Sequence, residues 1–157
     1  PLMIENHEAF IPVFAAFKDA AVYIHPEVSY HPLRSLDLIK SYGARAGIAI
    51  APAIPLESIR PLLPHVELVC MMTVNPGYAG QKLLPQTIDK IKELAQIIST
   101  HGYGIEIEAD GNVSRQNIPL MIQAGARILV TGSSSLYERG ADLRENIERL
   151  YELIGRK

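Results

Sequence analysis

Two short segments of this chain, 77–80 and 132–135, combine glycine with small polar residues directly after apolar runs. Small residues ahead of a helix leave backbone N–H groups free to converge on an anion, and the helix dipole favours negative charge there. Neither segment contains Lys or Arg, so a bound phosphate would be held by amides, with Lys82 as the nearest cation. For one such segment alone, ordinary turn glycines are the competing interpretation. Two of them at the ends of late parallel strands favour a phosphate site.

Asp110 is the best candidate for acid–base or metal chemistry. It ends an apolar strand and precedes Gly111, so its carboxylate is expected at the rim of a buried mouth. Desolvation and a nearby cation can tune the pKa of such a group for proton transfer. The alternative is an aspartate that caps the following turn. Glu106 and Glu108 have the same strand parity and therefore need partners inside the fold.

The histidines and methionines give weaker signals. His25 ends a strand, where it either faces the same mouth or packs as a structural residue. The other four histidines are interpreted as solvated surface and lack the i, i+4 spacing of a helical metal site: His7, His31, His65 and His101. Met3 and Met72 occupy strand positions and are core residues by default, although a thioether beside a reacting carbon also forms a water-free wall.

These candidates are positioned by alternating strand and helix patterns, which predict parallel strands with crossover helices. The predicted strands are 21–25, 46–51, 68–74, 105–110 and 128–131. The predicted helices are 8–17 (bent or restarted at Pro12), 34–42, 85–100, one from an N-cap at Ser114 to 123, and 142–154. Pro61 and Pro64 are expected to keep the segment after Leu56 short.

This order leaves two α/β architectures, an open doubly wound sheet or a closed (β/α)8 barrel. A barrel needs eight units and about 250 residues, whereas this chain offers five strands and a remnant at 2–4. We therefore predict one domain over 1–157, a (β/α)8 barrel that lacks its N-terminal strands. Because a sheet cut there would leave unpaired edges, we expect residues before Pro1.

Composition narrows the function classes. The chain has 157 residues, 20% of them charged, and a formal net charge of -2, which gives no reason to expect nucleic acid or an anionic membrane as partner. A single cysteine, Cys70, suits a reducing compartment, so we expect a cytoplasmic protein. No apolar run reaches the length of about 20 residues that a membrane-spanning helix needs.

The sequence also resembles the ribulose-phosphate 3-epimerase family, essentially over its whole length. The specific part is Met-Thr-Val-Asn-Pro-Gly-Tyr-Ala-Gly-Gln at 72–81. Further matches in order and spacing lie at 2–6, 25–27, 46–53, 107–111 and 124–133. The resemblance includes the sibling allulose-6-phosphate 3-epimerase, which shares the His-Pro-Glu of 25–27.

The resemblance implies a barrel that inverts C3 of a ketose phosphate through an enediolate held on one divalent metal ion, Zn, Mn, Fe or Co. Asp110 then matches one of two acid–base aspartates and is also a metal ligand. The residues that match the substrate and phosphate loops are Gly77, Tyr78, Ala79, Gly80, Gly111, Asn112, Gly132 and Ser133. Met3 and Met72 match methionines near the reacting carbon.

The chain departs from the family pattern at several positions. Strands carrying a serine, a metal-binding histidine and the partner aspartate have no counterpart, and Pro1 stands where a second metal-binding histidine is expected. Ala79 and Asn112 replace glycines, and we expect their amides to be preserved if φ stays negative, with weakened phosphate binding. Asp19 stands where a helix-ending glycine is common.

From these features we expect an epimerase that interconverts D-ribulose 5-phosphate and D-xylulose 5-phosphate, acting as a homo-oligomer. The 157 residues alone are not expected to catalyse, because one base can only return the proton to its own face. The alternatives are allulose-6-phosphate 3-epimerase and a non-catalytic protein that binds sugar phosphates.

Overall fold

The computed structural model describes residues 1–4, 6–138, 140 and 142–155. The strands are β1 (Ala21–Ile24), β2 (Arg45–Ile50), β3 (Leu68–Met72), β4 (Glu106–Asp110) and β5 (Ile128–Val130). The α-helices are α1 (Ile11–Ala15), α2 (Pro32–Ser41), α3 (Gln86–His101), α4 (Ile118–Ala124) and α5 (Leu143–Leu153). Segments of 3-10 helix cover His7–Ala9, Pro26–Val28 and Leu56–His65. None of the described helices combines the length and apolarity needed to cross a membrane.

All five strands are parallel and lie side by side in chain order, from β1 to β5. Leu2 forms an isolated parallel bridge with Ile24, so a further extended segment lies at the outer edge of β1. A doubly wound sheet reverses its strand order at a switch point, and this sheet has no reversal. The arrangement is therefore an arc of a (β/α)8 barrel, as the sequence predicted.

The two faces of the sheet carry separate apolar clusters. The larger cluster lies between the sheet and the helices and includes fully buried Ile48, Ile50 and Ile91. The smaller one lies on the other face, the barrel interior, and contains Tyr23, Ala49, Leu68, Cys70 and Met72. Since both faces are covered, strands β2 and β3 are almost continuously hydrophobic, as the sequence pattern indicated.

Four of the predicted strands extend one or two residues too far at their carboxyl ends. The longest error is in β3, which ends at Met72 rather than at 74. The N–H of Thr73 still makes a ladder bond to the carbonyl of Asp110 at 2.7 Å, but its carbonyl accepts from Leu84 N at 2.9 Å, and the ladder ends at this residue. The strand therefore ends in a loop whose base is fastened by Thr73.

The helix predictions are confirmed in existence and corrected at their ends. The apolar stripe at 85–100 corresponds to α3, with Pro85 as N-cap rather than first residue. The N-cap of α4 is Asn117 rather than Ser114, because residues 114–117 form a separate turn. Asp142 does cap α5, its carboxylate accepting from the N–H groups of Arg144 and Glu145.

Prolines shape the two irregular segments. The segment expected at 8–17 divides into the 3-10 turn His7–Ala9 and α1, in which Pro12 occupies the first turn. The segment after Leu56 is a 3-10 helix containing Pro61 and Pro64. Proline removes the N–H that an α-helix needs and crowds the preceding turn, so regular α-helix does not form there.

The apolar stripe predicted for α5 is real in spacing, but the described residues cover little of it. Leu143, Ile147, Tyr151 and Ile154 are all exposed, and only Leu150 packs against the main apolar cluster. The helix is stabilised at its start by the Asp142 cap rather than by burial of this stripe.

Candidate active site

All eleven residues that the sequence singled out for the site line one cavity of about 440 Å³. The cavity lies at the carboxyl ends of β3, β4 and β5. Its lining includes Asp110, Met3 and Met72, together with Gly77, Tyr78, Ala79, Gly80, Gly111, Asn112, Gly132 and Ser133. This is the edge of a parallel barrel at which functional loops gather. The roles of these residues remain predictions, but their juxtaposition is now a feature of the structure.

Asp110 is the acidic residue of this cavity. It is the last residue of β4 and is half-buried, and burial together with the neighbouring Glu108 carboxylate raises its pKa. Among the described residues no hydrogen bond reaches its carboxylate. Such a carboxylate is a stronger base than a fully hydrated aspartate and has both oxygens available for a ligand.

Thr73 fixes the backbone beneath Asp110, and sequence analysis missed it. Its side chain is buried, and its hydroxyl lies 3.1 Å from the carbonyl oxygen of Asp110 and contacts that of Gly111. Gly111 has a φ of +115°, and a Cβ atom there would lie 2.6 Å from Cγ2 of Val74. Thr73 and Gly111 thus hold the ends of β3 and β4 closely together. A threonine two residues before the loop 75–81 was the available signal.

The first amide loop, 75–81, is closed by its own last side chain. Gln81 donates from Nε2 to the carbonyls of Asn75 at 2.5 Å and Tyr78 at 2.9 Å. Gly77 and Gly80 have positive φ values of +118° and +82°. Gln81 therefore engages two carbonyls of the loop, and positive φ at the two glycines allows the N–H groups to turn toward the cavity. Gln81 itself was not predicted as a site residue.

Backbone N–H groups in all three loops are free to bind an anion. Within the described residues, those of 77–80, 111–112 and 132–134 donate no hydrogen bond to protein. In the last loop, the carbonyl of Gly132 accepts from Ser135 N and Tyr137 N at 3.1 and 3.0 Å. Unused main-chain donors that line one cavity form the kind of concavity that binds phosphate.

The prediction that helix dipoles help the two glycine loops to bind an anion is wrong. α3 begins at Gln86 and α5 at Leu143, each several residues beyond its amide loop. The field of a helix terminus falls off within the first turn. Any anion bound in the cavity would therefore be held by loop geometry rather than by the end of an α-helix.

The two glycine replacements adopt different backbone conformations. Ala79 is not among the residues with positive φ, as expected. Asn112 contradicts the expectation, since its φ is +44°. Asparagine tolerates the left-handed region better than most residues because its short polar side chain bonds locally. Asp19, which replaces a common helix-ending glycine, likewise has a φ of +59°.

Both glutamates of β4 have hydrogen-bonding partners, as expected from their position on the same face of the strand as Asp110. The hydroxyl of Tyr23 donates to Glu108 at 2.7 Å inside the barrel, and burial together with this bond raises the pKa of Tyr23 strongly. Arg45 donates from Nη2 to Glu106 at 2.6 Å and lies 3.5 Å from Glu67. Neither glutamate lines the cavity.

His25 lies beside the candidate site. Its side chain is buried, and its Nδ1 lies 3.2 Å from Glu27. Burial alone would raise the pKa of Glu27, but hydrogen bonds from His25 and from the backbone, together with the charge of His25, outweigh it and the pKa is lowered. Nε2 of His25 has no partner among the described residues. The residue lines a second cavity of about 230 Å³ that shares Met3 and Pro76 with the first.

The interpretation of His7 as solvated surface is wrong. His7 is buried, and its Nε2 lies 3.0 Å from the hydroxyl of Ser35 on α2. This contact joins residues far apart in the sequence, so local polarity could not indicate it. The prediction that both methionines are core residues is confirmed for Met72, which is buried, and is wrong for Met3, which is 48% exposed at the cavity.

Comparisons with known proteins were consistent with this geometry. Residues 1–136 match the ribulose-phosphate 3 epimerase family. Relatives named ribulose-phosphate 3-epimerase include those of Escherichia coli K12, 38% identical over 133 residues, and Bacillus subtilis 168, 39% identical over 134 residues. Each alignment covers 85% of this chain, but only 59% and 62% of the relative.

Among solved structures, a mutant tryptophan synthase alpha-subunit from Pyrococcus furiosus matches with a TM-score of 0.67 at 16% identity. The match covers 94% of this chain and 60% of the other, and an identity this low supports the fold alone. The chain spans about three-fifths of the length of the E. coli relative. On its sequence match over residues 1–136, the chain belongs to the ribulose-phosphate 3 epimerase family.

Proposed function

We propose that the whole protein is a metal-dependent ribulose-phosphate 3-epimerase that interconverts D-ribulose 5-phosphate and D-xylulose 5-phosphate. The observation that carries the proposal is one cavity lined both by three loops whose backbone amides donate to no described residue and by the half-buried Asp110. The relatives that match most of this chain carry the same activity in their names. Allulose 6-phosphate is the alternative substrate.

The phosphate would be bound by amides of 77–80 and 132–133. Neither loop contains an arginine or lysine, so the negative charge is balanced by main-chain dipoles rather than by a side-chain cation. Ser133 adds a hydroxyl that can donate to a phosphate oxygen. The sugar would then extend from the phosphate toward β4 and the carboxylate of Asp110.

Asp110 would transfer the proton at C3 on one face of the substrate. Its raised pKa makes the carboxylate a better base and, once protonated, keeps the proton available for return. Inversion requires a second acid–base group on the opposite face, and no described residue is assigned that role. Buried Met72 would form an apolar wall that excludes water from the reacting carbon.

The metal proposed from the family resemblance needs ligands beyond those described here. Within the described residues, no three His, Cys, Asp or Glu side chains come together to form a metal site. Asp110 is the candidate ligand for Zn, Mn, Fe or Co, and by itself it does not make a metal centre. No step of the mechanism above therefore depends on the metal.

The remaining assignments are also part of this proposal. The described chain would be one ribulose-phosphate-binding domain of a cytoplasmic homo-oligomer. Its single cysteine, Cys70, is buried and reduced, which suits a reducing compartment. Nucleic acid and membranes are not proposed as partners, because a formal net charge of -2 supplies no electrostatic attraction to either.

Solvent exchange at C3 tests the proposal. The whole protein, supplied with each of the four metals in turn, is incubated with ribulose 5-phosphate in D2O, and deuterium at C3 is followed by NMR. We expect deuterium at C3 in both substrate and xylulose 5-phosphate. Exchange with allulose 6-phosphate alone would move the proposal to the sibling activity. Phosphate-ester binding without exchange would make the protein a non-catalytic sugar-phosphate binder.

A further inference from the structure

Side chains from two loops and a helix start form a continuous polar bridge beside the cavity. Asn117 donates from Nδ2 to the side-chain oxygen of Asn112 at 2.7 Å and to its carbonyl at 2.9 Å. Asn112 in turn donates from its own Nδ2 to the carbonyl of Gln81 at 2.8 Å. The bridge thus runs from the N-cap of α4, across the loop after β4, to the end of the first amide loop.

Gln81 extends the bridge into the first amide loop. Its side-chain amide holds the carbonyls of Asn75 and Tyr78, while its main-chain carbonyl is held by Asn112. The carbonyls of the loop are therefore drawn toward Gln81. A loop fastened in this way presents its remaining N–H groups in a fixed direction, which lowers the conformational cost of closing on an anion.

The backbone of Asn112 is suited to this connection. Its φ of +44° lies in the left-handed region, which asparagine and glycine enter at least cost. The family resemblance places a glycine at this position, and glycine could adopt the same φ. It could not supply the two side-chain bonds. The replacement of glycine thus adds contacts between the loops, contrary to the expectation that it only weakens phosphate binding.

We propose that Asn112, Asn117 and Gln81 are positioning residues that fasten the first amide loop to the loop after β4, so that the N–H groups of 77–80 stay directed at one phosphate ester. Asn112 and Asn117 act through the loop and not by touching the reacting carbon. This inference rests on the proposed function, because it concerns the same phosphate site. The inference adds the residues that set the distance between the loops on either side of the phosphate site.

Asn112→Gly is the most informative variant, because it keeps the left-handed backbone and removes only the bridge. Asp19→Gly is the matched control, since Asp19 is exposed, has a φ of +59° and lies outside the cavity. Both changes release left-handed strain and add the same backbone freedom in the unfolded chain. Only Asn112→Gly should affect the first amide loop. Asn117→Asp is a second variant that replaces the donor by an acceptor and keeps a good N-cap residue.

Two readouts on the whole protein separate the inference from the proposed function. The order parameters of the amides at 77–81, measured by ¹⁵N relaxation, test the bridge, and titration with inorganic phosphate tests the anion site. For Asn112→Gly, which removes two side-chain bonds, we expect lower order parameters at 77–81 and about tenfold weaker phosphate binding. The KM for ribulose 5-phosphate should rise by more than kcat falls, and Asp19→Gly should match the wild type in all of these.

The outcomes are distinguishable. Unchanged order parameters at 77–81 in both Asn112→Gly and Asn117→Asp would overturn the bridge. Lower order parameters with phosphate affinity within twofold of the wild type would show a merely structural contact and would also overturn the inference. A wild-type protein that binds no phosphate would refute the proposed function, and with it the role of the bridge in holding a phosphate. If Asn112→Gly fails to fold, Asn117→Asp provides the same comparison.

Discussion

The two ends of strand β4 carry the same kind of side chain and differ in what surrounds it. Glu106 and Glu108 lie toward the amino end and the interior, where Arg45 and Tyr23 bind their carboxylates at 2.6 and 2.7 Å. Asp110 lies two residues further along, on the same face, and no described residue donates to its carboxylate. Strand parity places all three acids on one face.

We interpret this contrast as the difference between acids that stabilise the fold and an acid that is available to a ligand. A buried carboxylate with a donor is satisfied and contributes to the fold, whereas one without a donor raises its pKa and is available to a ligand. The loops around the two ends differ in the same way. Main-chain N–H groups near Asp110 are unused, while the amino end of the sheet is held by ion pairs.

The largest effect is expected from removing the acid at the rim. Asp110→Asn should lower C3 exchange of ribulose 5-phosphate by about 10²–10⁴-fold, the usual contribution of a general acid or base. The matched control is Glu106→Gln, the same change at the opposite end of the strand, which should keep exchange within a few-fold of the wild type. Equal losses from the two variants would show that Asp110 has no special role.

The next largest effect is expected at Glu108, the buried acid between Glu106 and Asp110 on β4. Tyr23→Phe removes the hydroxyl donor to Glu108 and leaves the buried carboxylate with only the weak donor Cys70, so we expect the free energy of unfolding to fall by about 1–3 kcal/mol. Urea denaturation measures this change. Adding Glu108→Gln should restore part of the loss, because a neutral amide is easier to bury. A single variant as stable as the wild type would mean that water already satisfies Glu108.

The backbone at the rim gives a third test. Gly111→Ala requires a side chain at a φ of +115°, with its Cβ at 2.6 Å from Val74, so we expect a loss of about 1–3 kcal/mol of stability and weaker phosphate binding. Gly104→Ala is the control, because nothing lies within 4 Å of the added Cβ and its φ is not positive. Thermal unfolding of both variants shows whether the close contact of β3 and β4 is required.

A fourth test uses pH. Because burial raises the pKa of Asp110, the folded state binds its proton more tightly than the unfolded state. The stability this provides is present below the ordinary aspartate pKa of about 4 and is lost as the pH rises through the folded value. Asp110→Asn should therefore become progressively more stable than the wild type from pH 4 toward pH 7. A difference that moves the other way would mean that the folded protein stabilises the charged carboxylate.

The smallest effect is expected at the ion pairs of the amino end. Arg45 and Glu106 are each almost half exposed, so Glu106→Gln should cost no more than about 1 kcal/mol and less at high salt. Chemical denaturation at low and high salt measures this. A loss of several kcal/mol would show that this pair stabilises the sheet far more than its exposure indicates.

The sequence predicted those features that depend on local pattern. Apolar runs between helical stripes located five strands, and glycine with Asp110 at their ends located the cavity, because parallel strands end at a common edge. It missed contacts between distant residues. The contact of His7 with Ser35 and the bond of Asn112 to Gln81 join positions about thirty residues apart, and no local periodicity encodes them.

The predictions of helix ends and of helix burial failed for a different reason. The amide loops were expected at helix N-termini, but Pro85 and Asp142 start their helices several residues later. The spacing of the α5 stripe indicates a helix without indicating what covers it. Its exposed residues show that amphipathic pattern predicts a face and not its partner.

The most direct test of the account is a titration of the isotopically labelled whole protein with inorganic phosphate, followed through the backbone amide signals. The account predicts that amides of 77–80 and 132–133 shift together, with one dissociation constant, while amides near Arg45 and Glu106 do not move. Shifts confined to one loop, or two loops that saturate at different concentrations, would contradict a single phosphate site facing Asp110.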